Sequence, residues 1–435
     1  MFSYADGQLK RIKKNIFGNS FNFSLAVLAQ LFYIPLMLYS WGAVQTGYWF
    51  FFISIPQILS FWKLDFAEAS KNELTINNGK NKNEIFTISL IFTFLVIFIL
   101  GIIFFTINFN FINNFEIFKD HKINNFNIIL ILIFFSFAIE LIVNNFYILS
   151  LYTGKIYKSE VTNGIFSALE KIAIGCVGFF TIHLFYAAII FLCIKIIKFI
   201  FVKYFINLDI DFKITKIPKK LFYNIFSKSI NIYYLNLTNL INVSGLTYFV
   251  GYFYNSEIVA LLNALQTMFK FTVYRVNKVF IDVLYFEFAY YFSKKKIKKV
   301  LEIYRFQKEK NYIFLFCFSI FVLLFGEYIF NLWTNNNFKN FNNIMLLIMA
   351  DSILMMLSYN DQLLSRTLNK LEGIALMNLI VTIMSFLPLI FFENLRINLE
   401  MIFYIIAIKS LLIFFINKYF NALFIKNYLK KFSNK

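Results

Sequence analysis

Apolar stretches of about 20 residues, separated by short polar segments, recur along the whole chain, and a helix of that length crosses a lipid bilayer. Twelve such spans are predicted. Their approximate limits are 16–40, 44–63, 85–107, 127–150, 161–183, 185–206, 222–246, 256–280, 311–333, 344–366, 372–393 and 399–423. The pattern therefore predicts an all-α polytopic membrane protein with about twelve transmembrane helices.

Spans 7 and 8 are more polar than the others. Asn263, Gln266, Lys270 and Asn277 recur at i, i+3, i+7 and i+14, which places them on one face of a helix. We expect these two spans to line a polar space. The alternative is a set of hydrogen bonds between helices without any bound cargo.

The composition agrees with a membrane protein. Of the 435 residues, 60% are hydrophobic and only 15% are charged, whereas soluble domains contain about 45–50% apolar and about 25% charged residues. The net charge of +19 would suggest a nucleic-acid partner for a soluble protein. Here the position of the basic residues gives another explanation.

The basic residues lie on alternate sides of the predicted spans. With the N-terminus inside, the cytoplasmic segments and the span ends beside them hold 30 Lys and Arg residues, and the opposite side holds only Lys119, Lys122, Lys339 and Arg396. Cytoplasmic loops carry such an excess of positive charge. Both termini are therefore predicted to be cytoplasmic, and no nucleic-acid partner is expected. The N-terminal basic and apolar run is predicted to be a retained first span.

An internal repeat relates the first span to the seventh. When the chain is shifted by 209 residues, nine of the 28 positions 15–42 are identical. Two halves in the same orientation are the plan of two-lobed transporters, which bind substrate between the lobes. We predict an N-terminal six-helix lobe over 1–210, a C-terminal six-helix lobe over 211–435, and a central cavity.

Patterns typical of enzymes are missing from the sequence. It contains two distant histidines, three cysteines within apolar runs, and no HExxH, GxSxG or Walker motif. The longest outward loop, about 108–126, has no catalytic pattern. We therefore predict no enzymatic activity, no metal site and no cofactor.

Several charged residues lie within the predicted spans, where an ionised side chain costs about 2.5–3.5 kcal/mol and therefore usually faces a cavity. Lys270 and Lys409 lie deepest among the cations. Lys228 and Arg275 lie nearer the cytoplasmic ends, where they either face the cavity or extend to the membrane surface. Glu140 and Asp351 are deep carboxylates and are the candidates for binding a coupling ion or proton. Their alternative role is to pair with another group and hold two helices together.

A charged helical turn follows the second span. Asp65, Glu68 and Asn72 recur at i, i+3 and i+7 after Pro56 and therefore share one helical face. The predicted orientation places them at the cytoplasmic mouth of the N-terminal half. We predict that they close an inner gate, the alternative being that the stretch is only a helix end.

A series of short motifs runs through residues 10–425. They are Gly47-Tyr48-Trp49, Ile55-Pro56, Asp65-Phe66-Ala67, Asn72-Glu73, Glu257-Ile258-Val259-Ala260, Gly326-Glu327-Tyr328-Ile329 with Leu332-Trp333, and Leu368-Asn369-Lys370. In order and spacing they resemble the motifs of Wzx-type polysaccharide (O-antigen) flippases, a family of the multidrug/oligosaccharidyl-lipid/polysaccharide exporter (MOP) superfamily. Ala67 departs from that family, which commonly has Gly there.

The resemblance implies a function. Flippases of this family translocate an undecaprenyl-diphosphate-linked oligosaccharide, an O-antigen or similar repeat unit for lipopolysaccharide biosynthesis, across the bacterial inner membrane by alternating access. The resemblance also implies that H⁺ or Na⁺ is the coupling ion. A polysaccharide polymerase and a chain-length regulator would be partner proteins. The diphosphate requires cations, which Lys228, Lys270, Arg275 and Lys409 would supply, and Pro35 would be a gating hinge.

Two other functions were considered. A small-molecule or drug antiporter of the same superfamily fits the same architecture, although a cation-rich cavity disfavours cationic drugs. A membrane polysaccharide polymerase is disfavoured by the short outward loops.

Overall fold

The computed structural model describes residues 2–59, 70, 82–106, 115–118, 125–152, 156–205, 219–271, 273, 288, 291, 296–339, 341–367, 372–391 and 398–433. Within these residues the chain is helical apart from short turns, and they include no β-strand. The α-helices are α1 (Phe2–Leu59), α2 (Lys82–Thr106), α3 (Phe126–Tyr152), α4 (Ile156–Val177), α5 (Leu184–Phe205), α6 (Lys219–Leu240), α7 (Leu246–Phe253), α8 (Ser256–Leu265), α9 (Ile297–Trp333), α10 (Asn342–Thr367), α11 (Glu372–Phe391) and α12 (Leu399–Ser433).

Three short helical segments complete the described chain. A 3₁₀ turn, Glu116–Phe118, precedes α3. One π-helical segment, Ile241–Gly245, joins α6 to α7 without a break. A second π-helical segment, Gln266–Phe271, continues α8.

Gly42 divides α1 into two arms, which correspond to the first two predicted spans. Its backbone angles are φ 73° and ψ 176°, a conformation that is essentially restricted to glycine. The chain therefore leaves one helix and enters the next within a single residue. Pro35 lies inside the first arm and Pro56 inside the second.

Seven helices in the described part of the chain are long and apolar enough to cross a membrane, and the first of them contains both arms of α1. They are Phe17–Gln57, Asn83–Phe104, Phe126–Tyr147, Leu184–Phe205, Ile297–Trp333, Asn342–Thr367 and Leu399–Asn427, with the shorter apolar helix Gly373–Pro388 beside them. All twelve predicted spans lie wholly or partly on described helices. The predicted all-α polytopic fold is confirmed.

Several of the predicted helix limits differ from the structure. Helix α4 ends at Val177 rather than near 183, and the seventh span continues through α7 to Phe253. Helix α9 begins at Ile297, 14 residues before the predicted limit of 311. Its first turns are amphipathic, with Ile297 and Val300 buried and Lys298 exposed, so a test for continuous hydrophobicity misses them.

The first compact unit comprises Met1–Asn263. Helix α1 packs along α4, and α3 packs along α5. Phe86, Val143, Phe146 and Val202 join α2, α3 and α5 in one apolar cluster. This unit therefore has an apolar core of the kind expected for a helical bundle.

The second arm of α1 also packs closely against α7 and α8 in this unit. A Cβ atom at Gly47 would collide with the backbone carbonyl of Ser256, so only glycine fits there. Phe51 stacks on Tyr248 with their ring centroids 5.6 Å apart, and Ser244 donates a hydrogen bond to Gln57. The compact unit therefore continues beyond residue 210, where the sequence repeat placed the end of the first lobe. The two-lobe division at 210/211 stays a prediction.

The second compact unit comprises Ala264–Lys435. Helix α10 packs along α12, and it also contacts α9 and the π segment Gln266–Phe271. Helix α11 packs against α12. Val300, Leu315, Met356 and Leu363 form part of an apolar cluster between α9 and α10, while the interface of α10 with α12 contains most of the buried charges of the unit.

Candidate functional site

Four polar side chains of the second unit form a cluster in its interior, which we call the Asp351 cluster. Asp351 is 3% exposed, Lys270 8%, Lys409 2% and Ser410 0%. They come from α10, the second π segment and α12. Because uncompensated charges in the bilayer interior are costly, these groups must compensate one another or a ligand.

The carboxylate of Asp351 forms an ion pair with one neighbour and accepts a hydrogen bond from another. Lys270 Nζ lies 3.4 Å from Asp351 Oδ2, and the hydroxyl of Ser410 donates a hydrogen bond to Asp351 Oδ1. The charge of Lys409 also interacts with those of Asp351 and Lys270. The fold thus brings together three of the residues that the sequence singled out.

Ammonium groups outnumber carboxylates among the four members of this cluster, since two lysines accompany one aspartate. Opposite charges attract far more strongly in a low-dielectric interior than in water. The lysines of the cluster can therefore attract an anionic group.

The π segment determines where Lys270 lies. Its i→i+5 hydrogen bonds enclose one more residue than the i→i+4 bonds of an α-helix, and such segments frequently occur at functional sites. Gln266, at the start of this segment, is 2% exposed, and neither atom of its amide has a hydrogen-bond partner among the described residues. A buried polar group of this kind usually binds water or a ligand. Two other residues of the predicted polar face of span 8 give no further support for a site. The amide of Asn263 donates a hydrogen bond to the Val259 carbonyl of its own helix, and Asn277 lies outside the described residues.

A second ionic cluster, the Glu140 cluster, lies in the first unit. Lys198 Nζ is 2.7 Å and Lys195 Nζ is 3.1 Å from the Glu140 carboxylate, and Lys195 Nζ is 2.6 Å from Glu170. Lys198 also donates to Asn163 Oδ1 at 3.0 Å. Two lysines and two glutamates balance, so this cluster satisfies its own charges.

The sequence analysis missed Lys195 and Lys198 as partners of Glu140. Both lie in the middle of predicted span 6 at i and i+3, so their spacing was the available signal. Glu140 is therefore a paired carboxyl that connects α3 to α5. Its predicted role in binding a coupling ion stays a prediction.

A third cluster, the Asp361 cluster, lies ten residues after Asp351 on α10. Asp361 Oδ1 accepts hydrogen bonds from Lys308 Nζ at 2.7 Å, Tyr304 Oη at 3.1 Å and Asn421 Nδ2 at 3.3 Å. Beside it, Gln307 Nε2 donates to Asn360 Oδ1 at 3.2 Å. The sequence could not indicate this arrangement, because its members come from three helices that are distant along the chain.

Several predicted site residues are not placed by the structure. Asp65, Glu68, Asn72 and Arg275 lie outside the described residues, as does the side chain of Lys228, whose backbone is in α6. Pro35 is half-buried in α1. The predicted gate and the contributions of Lys228 and Arg275 to the site therefore stay predictions.

The described side chains include no group of three or more His, Cys, Asp or Glu residues that could hold a metal ion. Amide, hydroxyl, carboxylate and ammonium groups can bind and orient a polar ligand or exchange a proton. The Asp351 cluster contains three of these kinds of group, namely hydroxyl, carboxylate and ammonium.

No protein-family model matches the sequence, and no curated protein matches it. Solved structures do match over nearly the whole chain. A MOP superfamily transporter from Pyrococcus furiosus Vc1, described by the reverse polarity of its binding pocket, has 12% identity and a TM-score of 0.60 over 95% of this chain and 96% of that chain.

Two structures of multidrug resistance MATE family transporters of the MOP superfamily match as well. The outward-facing one has 11% identity and a TM-score of 0.58 over 96% of each chain. The inward-facing one has 11% identity and a TM-score of 0.56 over 94% of this chain and 95% of that chain. These similarities identify the fold: the protein has the twelve-helix architecture of MATE transporters.

Proposed function

We propose that this chain, with the architecture of MATE transporters, is a flippase for a lipid-linked oligosaccharide in the bacterial inner membrane. It would carry an undecaprenyl-diphosphate-linked repeat unit, such as an O-antigen unit, from the cytoplasmic to the outer leaflet by alternating access. The order of short motifs that resembles Wzx-type flippases supports this substrate class. Both termini would be cytoplasmic, as the distribution of basic residues favours.

The observation that carries the proposal is the pair of buried lysines in the Asp351 cluster. A diphosphate is an anion, and hydrogen bonds from ammonium groups to phosphate oxygens are strong because they are charge-assisted. Lys270 and Lys409 would bind the diphosphate, with Gln266 donating or accepting a further hydrogen bond. Lys228 and Arg275 would supply further cations for the diphosphate, as the resemblance implies.

The description of one similar structure relates the polarity of a binding pocket to function. For the Pyrococcus furiosus transporter, the reverse polarity of the pocket suggests a different function. We apply the same reasoning to Lys270 and Lys409, whose charges suit an anionic rather than a cationic cargo.

Transport would be coupled to H⁺ or Na⁺. Asp351 is the better candidate for the coupling site, because it faces two lysines and its protonation would remove the negative charge beside both. Glu140 is the second candidate. A polysaccharide polymerase and a chain-length regulator would act on the translocated product, as the resemblance implies.

A binding experiment tests the substrate class. The purified full chain is titrated with undecaprenyl diphosphate in detergent and followed by microscale thermophoresis. Since a charge-assisted hydrogen bond contributes about 1.5–3 kcal/mol, Lys270→Met and Lys409→Met should each weaken binding by about tenfold to a hundredfold. Lys310→Met, which removes an exposed cation of α9, is the matched control and should bind as the wild type does.

A drug antiporter is the second candidate, because two of the similar structures are multidrug resistance transporters. Efflux of the cationic dye ethidium from proteoliposomes separates the two functions. Saturable ethidium transport, together with undecaprenyl diphosphate binding that does not depend on Lys270 or Lys409, would reject the flippase.

A further inference from the structure

A row of polar side chains connects the two buried carboxylates of α10. Ser410, Asn417 and Asn421 lie on one face of α12 at i, i+7 and i+11, and we call them the α12 stripe. All are buried, whereas Leu411, Phe415 and Tyr419 on the other faces of the helix are exposed. The polar face of α12 therefore points into the second unit.

The stripe begins at one carboxylate and ends at the other. Ser410 donates to Asp351, and Asn421 Nδ2 donates to Asp361 Oδ1 at 3.3 Å. Asn417 lies between them and accepts a hydrogen bond of 3.2 Å from Asn378 Nδ2 of α11. The ten residues from Asp351 to Asp361 span about 15 Å of helix. Three buried polar side chains of α12 are thus spaced over this distance, and the buried Ile413 lies between Ser410 and Asn417.

Many of these polar groups lack partners. The atoms Asn378 Oδ1, Asn417 Nδ2, Asn421 Oδ1, Asp361 Oδ2, Asn360 Nδ2 and Gln307 Oε1 are buried and have no hydrogen-bond partner among the described residues. If the only role of the stripe were to form hydrogen bonds between helices, its amide groups would have hydrogen-bond partners. Exchanging the O and N of an amide would change the unpaired atom from a donor to an acceptor without removing the deficit. Buried polar atoms of this kind usually bind water.

The far end of the stripe lies beside a partly exposed lysine. Asp361 itself is 1% exposed, but the side chain of its partner Lys308 is 26% exposed. The predicted orientation places this end on the cytoplasmic side. Among the described residues, the charged and titratable groups that face the two carboxylates are Lys270 and Lys409 at Asp351, and Tyr304 and Lys308 at Asp361.

We infer that the α12 stripe binds water molecules and conducts protons between Asp351 and the cytoplasm through Asp361. A proton leaves the Asp351 carboxyl for a water molecule bound to the stripe, and a proton from the water at its other end is taken up by the Asp361 carboxylate. Asp361 then releases its proton to cytoplasmic water and pairs again with Lys308. One proton leaves Asp351 and one enters the cytoplasm, while the amides only orient the water.

This inference rests on the proposed role of Asp351 as the coupling site, and it selects H⁺ as the coupling ion. The antiport of a lipid-linked anion against protons requires proton release on the cytoplasmic side, which the stripe would provide. The Glu140 cluster is not involved, because its charges are balanced by its own members.

The test is the side of the membrane from which Asp351 is protonated. Dicyclohexylcarbodiimide modifies protonated carboxyls in apolar surroundings, and mass spectrometry of the peptide measures the labelling of Asp351. The full chain is placed in inside-out and right-side-out membrane vesicles, and the pH of the external medium is changed briefly. Labelling of Asp351 is expected to follow the pH in inside-out vesicles, in which the external medium contacts the cytoplasmic side of the protein.

The variants identify the path. Asn417→Leu, which keeps the branched shape and the number of heavy atoms but cannot bind water, should abolish the response of Asp351 to cytoplasmic pH, whereas Asn417→Ser should retain it. Ser385→Ala is the control, because Ser385 donates to the Val381 carbonyl of its own helix and lies off the stripe. A normal response in Asn417→Leu, a response to the outer pH only, or no labelling of Asp351 at any pH would overturn the inference.

The two proposals can fail separately. Asn417→Leu is expected to bind undecaprenyl diphosphate with wild-type affinity, since Lys270 and Lys409 are intact. Loss of the pH response with normal binding supports the stripe. Normal pH response without any undecaprenyl diphosphate binding would reject the proposed substrate and leave the stripe in place.

Discussion

Lys195 lies between two carboxylates of other helices, with its Nζ 2.6 Å from Glu170 and 3.1 Å from Glu140. It thereby connects α5 to both α3 and α4. Because only 9% of the Lys195 side chain and 22% of each glutamate side chain are exposed, water contributes little to screening these charges.

We expect Lys195→Met to destabilise the first unit. Removing one partner of a buried ion pair costs about 3–5 kcal/mol, because the other charge remains buried without compensation. The midpoint of thermal unfolding in detergent should fall clearly. Lys203→Met, which removes an exposed cation of the same helix, is the control.

The double variant Glu170→Gln with Lys195→Met should recover part of that loss, because no unpaired charge then remains at Glu170. Equal midpoints for Lys195→Met and the wild type would show that the ion pair does not stabilise the protein.

The helices were predictable because hydrophobic length alone determines where a chain crosses a bilayer. Even the break at Gly42 was predicted as the gap between the spans 16–40 and 44–63. The start of α9 was not predicted, because Ile297 and Val300 are separated by charged residues that face solvent. Amphipathic turns resemble loops when only continuous hydrophobicity is considered.

The site was predictable residue by residue but not as an arrangement. Lys270, Asp351 and Lys409 were singled out because isolated charges are costly in a membrane, and the structure brings them together. Their pairing depends on how α10 packs on α12 and on the π segment at Gln266. The regular period of an α-helix predicts neither this packing nor the position of the π segment. Lys195 and Lys198 were overlooked because their span was treated as purely apolar.

Asp351→Asn and Lys409→Met should affect stability to different extents. Asp351→Asn removes the carboxylate that faces both Lys270 and Lys409, so the free energy of unfolding should fall by about 3–5 kcal/mol. Lys409→Met removes only one of the two lysines that face this carboxylate, and Asp351 keeps Lys270 and Ser410, so the loss of stability should be smaller. Thermal unfolding of the two variants measures the difference.

Combining these two substitutions gives the control for the Asp351 cluster. Asp351→Asn with Lys409→Met leaves only one buried lysine, so it should be more stable than Asp351→Asn alone. If Lys409→Met proved the more damaging of the single substitutions, the role assigned to Asp351 in this cluster would be wrong.

Gly42→Ala should destabilise the turn between the two arms of α1. No atom lies within 4 Å of the Cβ that alanine would add, so the cost arises from the backbone conformation alone. A residue other than glycine in this conformation costs about 1–3 kcal/mol. Gly101→Ala is the matched control, since Gly101 lies within α2 and its Cβ would meet only Phe134 at 3.9 Å.

The helical control should be neutral or stabilising, because alanine is favoured over glycine inside a helix by about 0.5–1 kcal/mol. If Gly42→Ala and Gly101→Ala shifted the midpoint of unfolding equally, the special conformation of Gly42 would be contradicted.

Gly47→Ala tests the close contact of the second arm of α1 with α8. Its added methyl group would collide with the carbonyl of Ser256, which is backbone and cannot rotate away. The two segments must therefore move apart, and overpacking of this kind typically costs about 1–3 kcal/mol. Separation should also weaken the stacking of Phe51 on Tyr248 and the hydrogen bond from Ser244 to Gln57. Hydrogen exchange in α7 should consequently become faster in Gly47→Ala than in Gly101→Ala, and unchanged exchange would show that the contact does not hold the two segments together.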